Sequence, residues 1–401
     1  MKKTFLLIFI VLFVSEVGLT QINQEQDLKV GVVLSGGGAK GFAHIAVLKI
    51  LEEVGVRVDF IGGTSMGAMV GGLYAAGYSP DQLDSIVRTI DFNDILNDKV
   101  PRRSKSFVQK EIGEKYALSF PVQNKKVGLP AGLSDGQKVL NLLTKLTQHV
   151  NEVNDFSQLP IPFLCVATDL ETGESVVMRS GFLPEAMKAS GSFPSLLAPV
   201  EIDGRLLSDG GIVNNFPVDE VRAMGADIVI GVDIQGSLQE KEQLRSAVRI
   251  IEQIVNFQMY EGLDKKYERI ELLIKPDMEN YSVMSFGSYE GILEEGAKAT
   301  NLHLDELKEI ARKQSGPKER LKPNNKTSKY YVTGIEVEGN ENYTRANILG
   351  TLNLKKEDTI SYEKLTRSID NLTATGNFKS VQYKIAKFRL YPMRLMLRYL
   401  A

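Results

Sequence analysis

Apolar residues along the chain fall into short unbroken runs that alternate with stretches of helical period. From Leu28 the order is strand (Val30 to Leu34), glycine loop, helix (Gly41 to Val54, closed by Gly55), strand (Arg57 to Ile61), tight turn and helix (Met66 to Ala76). Strands that alternate with helices in this way predict an α/β architecture, a mostly parallel central sheet with helices on both faces. Further on, Gln137 to Val150 reads as a helix and Pro162 to Thr168 as a buried strand. Val200 to Leu207 reads as a hairpin turning on Asp203-Gly204, and Asp227 to Asp233 as another buried strand. A long amphipathic helix is predicted over 239–263, with apolar positions that suit a core or a homo-oligomer interface equally.

Between Ala311 and Lys329 the apolar period is lost in Lys313-Gln314-Ser315-Gly316-Pro317-Lys318 and Lys322-Pro323-Asn324-Asn325-Lys326, so a linker is predicted over 311–329. It separates a large domain, 28–310, from a small α+β unit, 330–387. The pattern there is a strand (Tyr331 to Val337), helices Thr344 to Leu349 and Ser361 to Thr375, and a strand (Val381 to Ile385).

Composition changes this picture little. Forty-eight basic and 50 acidic residues nearly cancel, which speaks against a nucleic-acid partner, whose footprint is a basic excess. Lys2 and Lys3 followed by the apolar run Phe5 to Val14 read as an export signal over 1–20, cleaved before Gln21. The run is shorter than the about 20 residues needed to span a bilayer. Cys165, the one cysteine, lies in an apolar strand pattern and reads as core filling. An exported chain without an internal disulfide fits a bacterial envelope, periplasmic or outer-membrane associated.

Three motifs carry chemistry. Ser65, in Gly62-Gly63-Thr64-Ser65-Met66-Gly67, stands between a predicted strand and helix. Such a serine is pushed out of the fold on a sharp turn, which Gly63 and Gly67 permit. Ser35-Gly36-Gly37-Gly38-Ala39-Lys40-Gly41 presents backbone N–H groups at a helix start and is built for an anion. A P-loop is ruled out because Lys40 is followed by Gly41 and Phe42 rather than serine or threonine. A dinucleotide site lacks the acidic residue that should close the second strand. The remaining reading is an oxyanion hole from Gly36, Gly37, Gly38 and Gly41, where one lost donor costs ~10²–10³ in rate. Third, Ser208-Asp209-Gly210-Gly211 places a carboxylate at a strand end, with Gly210 and Gly211 leaving it uncovered. Of His44, His149 and His303, only His303 follows Asp209 as the hydrolase order requires, and it sits on a polar helical surface. A Ser65–Asp209 dyad, with Asp209 as general base, is the economical reading.

With these motifs in this order, roughly Leu28 to Lys308 resembles the patatin-like phospholipases. Gly41-Phe42-Ala43-His44-Ile45, Ala167-Thr168-Asp169-Leu170 and Ala189-Ser190-Gly191-Ser192-Phe193-Pro194 add to the likeness. The resemblance implies a three-layer patatin-like fold and a lipid acyl hydrolase that works on phospholipid or another acyl ester at a membrane surface. It implies neither metal nor cofactor. Ser65 is expected to be acylated, Asp209 to activate water, and Lys40 to favour anionic head groups or to cap the loop.

Tyr330 to Ile385 resembles a POTRA domain, on Ile335-Glu336-Val337-Glu338-Gly339-Asn340, the helix around Leu365 to Leu372, and Thr375-Gly376-Asn377-Phe378. That arrangement leads to the expectation of an outer-membrane barrel. The basic, apolar tail 388–401 departs from it, with Pro392 interrupting the place of a final strand, so a truncated product is expected. Two rivals stay open at this point: a non-catalytic envelope assembly factor that binds strands by β-augmentation, and a soluble esterase or thioesterase on the same dyad.

Overall fold

A computed structural model of the chain describes residues 27–98, 132–245, 247–260, 262–316, 323, 329–339, 342–378 and 380–385, with short strands at 122–123, 126–127 and 393–398. The export signal read over 1–20 lies outside these residues.

The large unit is built on an eight-stranded sheet. Its strands are β1 (Val30–Leu34), β2 (Phe60–Thr64), β3 (Phe163–Asp169), β4 (Ser175–Met178), β5 (Val200–Ile202), β6 (Arg205–Asp209), β7 (Ile228–Val232) and β8 (Leu272–Ile274). Across the sheet the order is β8-β7-β1-β2-β3-β6-β5, with β4 also paired to β3. From β8 to β3 neighbours run parallel, while β6, β5 and β4 are antiparallel. This is the α/β fold predicted from the sequence, with a mixed, mostly parallel sheet.

The strands alternate between two cores, which is why they are apolar without interruption. Val32 and Leu34 join a cluster with helices α1 (Ala43–Glu53) and α2 (Met66–Ala75). Val33 points to the opposite cluster, with Leu164, Phe216, Val221 and Val229. Helix on sheet on helix gives three layers.

Three boundaries differ from the sequence reading. The second strand begins at Phe60 rather than Arg57, because Arg57 is turned into a buried ion pair with Asp59 at 2.8 Å. It therefore runs up to Thr64, directly against Ser65. The predicted long helix is broken: α3 (Ala247–Tyr260) is separated from Leu263–Tyr267 by Gly262, whose φ of 81° no helix continues. Ile250, Ile254 and Phe257 of α3 are exposed, whereas Gln253 and Asn256 are buried. Lastly, the large unit reaches past Ala311. The Gln314 side chain accepts from Arg57 N–H and donates to Arg57 O and Leu28 O, and Ser315 N–H donates to Asp27.

The C-terminal unit has its own core, including Ile335, Ile348, Leu365, Ile369, Phe378 and Val381. Its helices, Arg345–Leu352 and Tyr362–Thr373, start at Thr344 and Ser361, whose side chains accept from the third residue on. Strand Lys329–Tyr331 pairs with Thr359–Ser361. The remaining sheet is β9 (Ile335–Glu338), β10 (Ser380–Lys384) and β11 (Met393–Arg398), with β11 in the middle. Reading 388–401 as an atypical tail is corrected here for 393–398. Proline is excluded from a central strand, and Pro392 falls immediately before the strand rather than within it. The rest of that segment lies outside the described residues.

Candidate active site

The turn from β2 into α2 is made by Ser65, with φ 55° and ψ −124°. For a residue with a side chain this conformation costs about 1–3 kcal/mol, so the surroundings must hold it. Ser65 N–H donates to Ser190 Oγ at 3.0 Å, and Ser190 in turn donates to Val166 O at 2.5 Å. Thr64 Oγ1 donates to Asn214 O at 2.9 Å. On either side the backbones touch: a Cβ at Gly63 would lie 2.6 Å from the carbonyl carbon of Gly67, and one at Gly67 would overlap Leu34 O. Because only backbone opposes it, Gly67→Ala is expected to cost more than about 3 kcal/mol, read as a loss of melting temperature.

Ser65 Oγ donates to Asp209 Oδ2 at 2.6 Å. Asp209 ends β6, where Thr168 Oγ1 donates to its carbonyl at 2.9 Å. Its second oxygen accepts the Gly211 N–H at 2.8 Å. Gly210 follows because a Cβ there would meet the backbone of Val166. Burial pushes the Asp209 carboxyl up to about 6, against the pull of the Ser65 and Gly211 hydrogen bonds. A carboxylate desolvated in this way is a stronger base than one in water.

None of the three histidines bonds to either residue. His44 is buried and its Nε2 donates to Ser35 O at 2.8 Å, with burial lowering its pKa to about 4. It supports the start of the glycine loop as a neutral imidazole. His149 meets Ala76 O, and His303 pairs with Glu306.

The glycine loop is divided in its duties. Gly36 N–H is taken by Asn215, through Oδ1 at 3.1 Å and the carbonyl at 3.3 Å, so Gly36 is not a free donor. Gly41 is inside the first helical turns, where a Cβ would come 2.6 Å from Met66 Cβ; its role is close packing against α2. Both corrections leave Gly37 and Gly38 as the loop residues that could offer free donors. Their N–H groups make no hydrogen bond with described residues, and both line the cavity that holds Ser65. Lys40 is buried beside Gly37, so it supports the loop from within rather than meeting head groups at a surface.

That cavity has a volume of about 160 Å³ and a nearly continuous apolar wall, including Phe42, Met69, Leu73, Leu142, Phe193 and Phe286. Ser65 and Asp209 stand at its polar edge with Gly37 and Gly38. Cys165 is buried in β3, where burial pushes its thiol well above the ordinary range. Among the described residues no group of three His, Cys, Asp or Glu side chains is placed to hold a metal.

Residues 32–222 match the family described as patatin-like phospholipase. The likeness to patatin-like phospholipases covers just under half of the chain. Residues 330–392 match POTRA, described as a surface antigen variable number repeat. An NTE family protein of Mycobacterium tuberculosis is 36% identical over 217 residues, 54% of this chain and 52% of that protein. Lysophospholipase NTE1 of Kluyveromyces lactis is 29% identical over 312 residues, covering 70% of this chain and 19% of that protein. The chain thus spans about half the length of the mycobacterial relative. Among solved structures, VipD from Legionella pneumophila is similar over 70% of this chain and 67% of its own, at 16% identity and a TM-score of 0.43.

Sequence reading missed two groups of this site. Ser190 was visible only as part of a longer motif. Asn215 stands in Asn214-Asn215-Phe216-Pro217, a polar pair ahead of an apolar one, which is a weak signal by itself. Its amide also donates to Gly36 O at 3.2 Å, tying the glycine loop to the segment after Asp209. Asn215→Ala is expected to lower the rate of Ser65 acylation about 10²-fold, as a loop displaced by about 1 Å does, measured with a fluorophosphonate probe.

Proposed function

We propose that this chain is a serine lipid acyl hydrolase of the phospholipase A or lipase type, working by a Ser65–Asp209 dyad. The observation that carries the reading is the 2.6 Å hydrogen bond from Ser65 Oγ to Asp209 Oδ2 at the edge of an apolar cavity. The family match over residues 32–222 supports the reaction class, and the apolar wall supports an acyl chain as the occupant.

In the first half-reaction Asp209 takes the Ser65 proton as Oγ attacks the ester carbonyl. Charge builds on the carbonyl oxygen, and in this reading the Gly37 and Gly38 N–H groups receive it. Collapse breaks the bond to the alcohol, which leaves with the proton that Asp209 held. In the second, Asp209 takes a proton from water, hydroxide attacks the acyl carbon, and Ser65 leaves with its proton restored. No other titratable side chain is required.

The proposed setting is a membrane surface in a bacterial envelope, reached by export. The leading residues support export, and the outward apolar face of α3 supports contact with an apolar partner. Fatty acid release from phospholipid vesicles, set beside a panel of soluble esters and thioesters, tests the substrate class. Release from vesicles supports a lipase; turnover confined to soluble esters or thioesters contradicts it.

A further inference from the structure

Between Asp98 and the C-terminal unit runs one helix, Gln137–Leu146, that faces two ways. On one side Val139, Leu142, Leu143 and Leu146 form part of the cavity wall. On the other, the helix carries the C-terminal unit. Gln137 Nε2 donates to Val381 O and Gln137 Oε1 accepts Val381 N–H, both at 2.9 Å. β10 is the edge strand of its sheet, and this amide completes its open edge in place of another strand. Tyr362 OH donates to Asn141 O at 3.0 Å, and the Lys145 ammonium lies 5.2 Å from the centre of the Tyr362 ring. Just beyond the helix, Tyr330 OH donates to Gln148 and Asn151 Nδ2 to Ile385 O, each at 2.7 Å.

We propose that Gln137 is a positioning residue for acyl-chain specificity, through which the POTRA-like unit fixes the helix that walls the acyl pocket. This rests on the lipid acyl hydrolase reading. Gln137 is buried, and an unpaired amide at either end of its bond to Val381 is costly in such a place. The helix therefore keeps one position only while the unit is docked. Other ties hold its start and end to the large unit. Asp98 accepts the Gln137 and Lys138 N–H groups, and Tyr78 OH donates to Leu146 O. Loss of docking thus shifts the wall rather than unfolding it, and the effect falls on how far an acyl chain is accepted.

The test uses the full chain, with Gln137→Met, close in volume and unable to pair with Val381, and Tyr362→Phe, which keeps the ring and loses the hydroxyl's bonds to Asn141 and Tyr383. kcat and KM are measured across p-nitrophenyl esters from butanoate to palmitate, with hydrogen exchange at Val381 N–H reporting docking. Both variants are expected to lower the ratio of long-chain to short-chain kcat/KM, by about ten-fold in Gln137→Met. That is the discrimination about one methylene provides in an apolar pocket. The change should appear mainly in KM for long chains, which a general loss of stability would not produce. An unchanged length profile in an active enzyme whose Val381 amide has become exchangeable overturns the proposal alone. A wild type that hydrolyses no ester overturns the catalytic reading and this proposal with it.

Discussion

Replacing Ser65 with alanine is expected to remove ester hydrolysis, by about 10⁴-fold or more, while the protein stays folded. The substitution deletes the hydroxyl that donates to the Asp209 carboxylate, and among the described residues no second nucleophile lines the cavity, since Cys165 is buried in β3. Nothing in the packing depends on Oγ, because the elbow is held by the Ser65 N–H, the Thr64 hydroxyl and the Gly63–Gly67 contact. An unchanged circular dichroism spectrum, a melting temperature lowered only by the lost Asp209 hydrogen bond, and no fatty acid released are the expected results.

Asp209→Asn is expected to do two opposite things. Activity falls by about 10⁴-fold, since an amide cannot take the Ser65 proton. Stability at neutral pH rises. The folded carboxyl titrates at about 6 against an ordinary value of 3.8, so the folded state holds its proton more tightly than the unfolded one. Protonation therefore stabilises the fold. The benefit is complete below pH 3.8, declines as pH rises towards about 6, and is gone above it. At pH 7 the buried charge costs roughly 3 kcal/mol, which the neutral amide avoids, and a melting temperature several degrees higher follows. For the same reason wild-type kcat/KM should climb with pH through about 6, as the base loses its proton. A flat profile between pH 5 and 7 would remove Asp209 from the role of base.

The pairing of Ser65 with Asp209 was legible because both of its parts announce themselves locally. A serine between glycines at a strand end, and an aspartate before two glycines at another, are each a few residues of sequence with a steric cause. The hairpin at Asp203-Gly204 was legible in the same way, and both of its turn residues take positive φ. What escaped reading is long-range. Gly36 and Asn215 lie 179 residues apart, so no local pattern says that one amide consumes the donor of the other. The four glycines of the loop look equivalent in sequence. They become different only when Asn215, Met66 and the cavity are placed around them. Strand Met393–Arg398 was lost for another reason: Pro392 is a correct breaker, and its effect stops one residue before the strand it was taken to prevent. Arg57 misled likewise, since a charged residue ahead of an apolar run does not say whether its own partners will hold it out of the strand.

The most direct measurement is labelling with a fluorophosphonate probe, followed by peptide mapping of the adduct. A single adduct on Ser65 is predicted, absent from Ser65→Ala and formed at least about 10²-fold more slowly in Asp209→Asn, where no base assists the attack. An adduct on another residue, or full-rate labelling of Ser65 in Asp209→Asn, would contradict the dyad.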